Sequence, residues 1–149
     1  MRRALAVSIT FVMAISAFGC GGGSSSPTEP ARQDSLVLLS VEPAQGAHVP
    51  LGKRVPVRAR FHYTFKEAAG GKIGVLAYPL PPNLPILTDP LLAQAVVAGQ
   101  DGEATLVFDL LLDDPALQPP SVIVMSFALF PQGQTVSTTG VEVRYSVDT

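Results

Sequence analysis

Between Val55 and Phe65 the chain alternates without a break: Val55, Val57, Ala59, Phe61, Tyr63 and Phe65 are apolar, while Arg58, Arg60, His62 and Thr64 lie between them. A repeat of two is the period of a half-buried strand. A helix would bring residues three and four apart onto one face and would mix arginine with phenylalanine. Val141, Val143, Tyr145 and Val147 repeat the pattern against Glu142, Arg144, Ser146 and Asp148. Two strands that each wet one face need a second layer over the other, so the pattern predicts packed β-sheets.

From Leu36 onward, short apolar runs are separated by Pro, Gly, Asn and Asp clusters at spacings that suit an all-β sandwich. Strands are expected at residues 36–41, 55–65, 72–78, 103–112, 121–130 and 141–147. Residues 96–98 are a seventh, turning through Gly99-Gln100-Asp101-Gly102 into the next strand. Residues 88–99 also admit a short helix, since Asp89 can cap it, Pro90 suits its first position and Gly99 can end it. Cys20 is the only cysteine, so no intramolecular disulfide can form and the fold rests on its core. Apolar residues at 47% against 15% charged are enough to build one.

The first residues have a different logic. Met1-Arg2-Arg3 is followed by an uncharged apolar run from Ala4 to Phe18 and then by Gly19-Cys20, the three parts of an export signal. The run is short for a membrane span, which needs about twenty residues. Ala17-Phe18-Gly19-Cys20 resembles the lipobox of bacterial lipoproteins; Ala17 and Phe18 depart from the commonest Leu and Ala or Ser, while Gly19 and Cys20 match. The resemblance implies that residues 1–19 are a signal peptide cut before Cys20 and that Cys20 carries lipid. Gly21-Gly22-Gly23-Ser24-Ser25-Ser26-Pro27 opens a flexible tether, read as residues 20–35, which leaves residues 36–149 as the domain. Gly21 in place of Asp after the cysteine favours, by the same resemblance, the outer membrane of a Gram-negative envelope.

Seven strands in about 114 residues, opened by turns at Val41-Glu42-Pro43-Ala44-Gln45-Gly46 and Val49-Pro50-Leu51-Gly52, resemble bacterial immunoglobulin-like or fibronectin-III-like modules. That implies a two-sheet sandwich, here without the cysteine pair and tryptophan of antibody domains. The fold hosts adhesins, chaperones, spacers and enzyme appendages, so it does not fix a function.

No catalytic constellation is found. A nucleophilic triad needs a histidine oriented by a carboxylate, and the two histidines, His48 and His62, stand in no motif. A zinc site would need both, with carboxylates from loops. Asp113-Asp114 can offer oxygens to calcium but is followed by Pro115 and reads as a turn, as does Gly70-Gly71-Lys72. Six of the eight cations left after a cleaved leader, Lys53, Arg54, Arg58, Arg60, Lys66 and Lys72, crowd into twenty residues. Asp109 and Asp113 on a neighbouring strand are expected to neutralise them. Twelve carboxylates against those eight give a net charge near −4, which excludes a general affinity for nucleic acid. Tyr78, beside Pro79-Leu80-Pro81-Pro82, is the one tyrosine off the inward faces and the sole aromatic platform for a sugar.

Residues 121–130 are apolar on both faces: Val122, Val124, Ala128 and Phe130 on one, Ile123, Met125, Phe127 and Leu129 on the other. Residues 80–95 are expected to fold over this strand; failing that, Ile123, Met125, Phe127 and Leu129 form an exposed partner surface. The sequence therefore favours a lipid-anchored, non-enzymatic envelope module with no cofactor. It meets the membrane through Cys20 and a protein or glycan partner through its domain. A metal-binding or hydrolytic lipoprotein using His48 and His62, or a carbohydrate-binding module, are the alternatives.

Overall fold

The computed structural model describes residues 32–80, 93–113 and 117–148, and these form eight strands and no helix. In chain order they are β1 (Ser35–Glu42), β2 (His48–Pro50), β3 (Arg54–Thr64), β4 (Gly70–Leu80), β5 (Ala93–Ala98), β6 (Asp101–Leu111), β7 (Ser121–Pro131) and β8 (Thr139–Asp148). One sheet has the order β1-β3-β6 and the other β2-β8-β7-β4-β5; every pairing is antiparallel except β2 with β8. The alternation at residues 55–65 is realised as read: Val57, Ala59, Phe61, Tyr63 and Phe65 are buried, and Arg58 and Arg60 are exposed. Phe61 meets Phe127 of the other sheet with ring centroids 4.9 Å apart at 55°, which makes the two layers a sandwich with an apolar interior. Among the described residues every core residue lies between Leu36 and Val147, so this part of the chain carries its own core.

Several sequence expectations change. There are eight strands rather than seven: Val49 and Pro50, expected within a turn at Val49–Gly52, belong with His48 to a strand that pairs with Ser146–Asp148, and the turn is confined to Leu51–Gly52. β1 and β2 run the same way and divide one edge between the two sheets. The switch at Pro43–Ala47 is docked on β8 by Gly46 N–H to Arg144 C=O and Ser146 N–H to Ala47 C=O. Residues 93–98 are a strand, not a helix, because their backbone pairs with β4; residues 81–92 lie outside the described residues. Gly70, Gly71 and Lys72 open β4 instead of forming a turn. A Cβ on Gly71 would strike the Phe130 carbonyl and come within 2.8 Å of the Phe65 ring, so only glycine fits there.

The largest correction concerns β7. Ile123, Met125, Phe127 and Leu129 are fully buried in the core and are no partner surface. They stand opposite Tyr145, Val143, Val141 and Thr139 on β8, so the face they share is the one turned toward the other sheet. The expected cover also fails where it is described: Leu80 extends β4 beside Val122, and residues 93–95 lie in the sheet as the start of β5. On the outer face Val124 is only 1% exposed and stands between Tyr78 and Arg144.

Two prolines inside strands find edges that tolerate them. Phe65 N–H donates to Gln100 C=O in the β3–β6 register, so odd residues of β3 bond to β6 and the missing donor of Pro56 faces the β1 side, past Glu42. Pro79 faces the β5 side, past Ala93.

Tyr145, 1% exposed, donates its hydroxyl to the Pro43 carbonyl at 2.8 Å and so clasps the strand switch to β8. Burial pushes its phenol from the ordinary 10.0 up to about 12. A raised phenol stabilises the fold fully below pH 10, and that contribution is lost between pH 10 and 12 at roughly 1.4 kcal/mol per pH unit. Melting temperature followed from pH 9 upward should fall across this window. Tyr145→Phe should melt lower at pH 8 but lose the extra slope; an unchanged slope would contradict the assignment.

Candidate functional site

The charged side chains of the described residues lie on the outer faces and at the ends of the sandwich, and the described core holds none. On the outer face of the three-stranded sheet, β3 presents Arg54, Arg58, Arg60 and His62. Arg54 reaches Asp109 at 3.7 Å, Arg60 reaches Glu103 at 3.0 Å, and His62 Nε2 reaches Asp101 at 3.0 Å. Each of these acids sits one same-face step from the residue directly opposite, always in the same direction, so the pairs run diagonally across the ladder. The diagonal neighbour of Arg58 is Thr105, and Arg58 forms no ion pair among the described residues. Exposed pairs of this kind contribute about 0.2–1 kcal/mol each, enough to discharge a basic stripe but not to hold a fold. The expected neutraliser Asp109 takes part. Asp113 does not; it lies past β6 in a cleft with Leu51 and Leu117, and Asp114 is outside the described residues.

His48 lies on β2 in the other sheet, its Nδ1 2.9 Å from Asp148 Oδ1. Each histidine thus has one carboxylate of its own, on separate sheets, and no group of three or more metal-ligating side chains exists among the described residues. Tyr78 donates its hydroxyl to Glu142 Oε1 at 2.8 Å, with Arg144 3.9 Å from the other carboxylate oxygen. The hydrogen bond to Glu142, then burial, raises the phenol above its ordinary 10.0. The sequence signals Tyr78 but not Glu142, whose role needs the β4-β7-β8 register to be seen.

Two clefts lie at opposite ends. Where β1 begins, Asp34, Lys66, Glu67, Gln132 and Gln134 line a cleft of about 430 Å³. Asp34 Oδ1 accepts the Lys66 N–H at 2.6 Å, so the residue just before β1 is bonded to the β3–β4 loop, and Lys66 pairs with Glu67 at 3.4 Å. At the far end Leu51, Leu112, Leu117 and Pro119 line an apolar cleft of about 560 Å³. Cys20 and residues 1–31 lie outside the described residues.

No family model matches the chain, and no curated protein matches it. Among solved structures it is similar to a β-glucosidase from Listeria innocua in complex with glucose, with 17% identity and a TM-score of 0.45, over 76% of this chain and 16% of that one. The matched stretch leaves most of the β-glucosidase without a counterpart.

Proposed function

We propose that this chain is a lipid-anchored protein of the cell envelope whose β-sandwich is a non-enzymatic binding, adhesion or spacer module. The observation that carries the reading is the order Met1-Arg2-Arg3, apolar run, Ala17-Phe18-Gly19-Cys20 and Gly/Ser tether immediately before a domain with its own core.

Cys20→Ser tests the anchor, because the acceptor must be a thiol. The wild type should incorporate radiolabelled palmitate and fractionate with membranes; the variant should take up no label and accumulate as a precursor or in the wrong fraction. Label entering Cys20→Ser, or none entering the wild type, would overturn the proposal.

A further inference from the structure

Among the described residues, three of the four outer edges of the two sheets are guarded against pairing. β1 carries a bulge between Leu38 and Ser40, β2 is three residues long and ends in Pro50, and β6 bears Asp101, Glu103 and Asp109. These are devices that discourage strand addition. β5, Ala93-Gln94-Ala95-Val96-Val97-Ala98, has no charge, no proline and an unbroken register with β4. Val96 is 89% exposed, the highest value among the exposed large apolar residues described.

The groups of β5 that do not bond to β4 point in a known direction. Gly99 N–H donates to Ala69 C=O at 2.7 Å in register with the β4–β5 ladder, so Val97, Ala95 and Ala93 exchange bonds with β4. Gln132 N–H donating to Gly70 C=O confirms that even residues of β4 face β7 instead. Gln94, Val96 and Ala98 therefore aim their N–H and C=O groups away from the sheet. The Ala98 carbonyl already accepts the Tyr63 hydroxyl at 2.6 Å.

We propose that this edge pairs with the same edge of a second copy of the chain, antiparallel about a two-fold axis at Val96, joining two five-stranded sheets into one. A two-fold perpendicular to the sheet keeps both inner faces on the same side. It sets Val96 opposite Val96 of the second copy and Gln94 opposite Ala98. The two Val96 residues exchange a pair of hydrogen bonds, and on either side the Ala98 N–H donates to the Gln94 carbonyl of the other copy, the Ala98 carbonyl being engaged by Tyr63. Charge favours a second copy here over any other edge: β5 self-paired sets no like charges together, whereas β6 self-paired would crowd its acids. Six residues per copy bury less than the roughly 800 Å² per partner of a standard interface, so the association is weak and concentration-dependent.

The test uses residues 32–149, which carry all of the described core within one compact unit and lack Cys20, so its outcome leaves the anchoring proposal untouched. A hydrogen-bonded antiparallel pair holds its Cα atoms about 5.5 Å apart, within disulfide reach. Val96→Cys should therefore oxidise to a covalent dimer. Gln94→Cys alone should not, its twin lying about 14 Å away along the ladder, but Gln94→Cys mixed with Ala98→Cys should cross-link. Val96→Pro removes an outward N–H without touching β4, and Val96→Lys sets two charges face to face. Both should remain folded and stay monomeric in sedimentation at about 1 mM, where the wild type is partly dimeric. A wild type monomeric at that concentration, equal cross-linking of Val96→Cys and Gln94→Cys, or dimers surviving both Val96→Pro and Val96→Lys would each overturn the proposal.

Discussion

Phe127→Asp is expected to leave the domain unfolded at 25 °C. The ring is fully buried, 4.9 Å from Phe61 and 6.4 Å from Phe108 between centroids, and serves as a hinge pin between the sheets. Truncating a buried phenylalanine costs about 3–5 kcal/mol. A carboxylate placed there has no cation within the core and adds several more, or takes up a proton to avoid them. The total approaches or exceeds the roughly 5–15 kcal/mol that holds a domain of this size. Far-ultraviolet circular dichroism and limited proteolysis read the result. A cooperatively melting Phe127→Asp protein would show that this side chain faces solvent, and the assignment of the two faces of β7 would be reversed.

Phe61→Ala should cost about 3–5 kcal/mol in urea denaturation, while Arg60→Ala, one position away, should cost under about 1 kcal/mol. Phe61 is fully buried against Phe127, whereas Arg60 lies in solvent on the other face and loses only its 3.0 Å contact with Glu103. The comparison measures the alternation itself, because the two residues share a strand and differ only in the side they face. Similar losses at both positions would mean that β3 is not half-buried.

The alternation from Val55 to Phe65 was legible because its cause is local: a strand with one wet face must repeat every two residues, whatever it packs on. β2 was not legible, since three residues around Pro50 become a strand only by pairing with Ser146–Asp148, nearly a hundred positions later. β5 offered conflicting local signals in Asp89, Pro90 and Gly99, and pairing with β4 decided residues 93–98 in favour of strand. For β7 the strand was readable and its orientation was not. With apolar residues on both faces, only the register with Val141, Val143 and Tyr145 on β8 tells inside from outside. The neutralising partners of the basic stripe divide in the same way: Asp109 could be anticipated from a neighbouring strand, but Asp101 and Glu103 acquire their roles from a diagonal that appears only once β3 and β6 are aligned.

The division of one edge between two sheets also sets how the domain bears tension. Ser35 opposes Thr64 at one end, and Asp148 pairs with Pro50 at the other, so a pull between Ser35 and Asp148 runs along the strands. Such a load acts lengthwise on the β1–β3 and β7–β8 ladders and strains many hydrogen bonds at once, rather than peeling them from one end. Resistance under that geometry is a matter of unfolding rate rather than of equilibrium stability. A domain strung this way stiffens the path between its two ends, and would transmit a tug on its far end to whatever holds Ser35 before the sheets part.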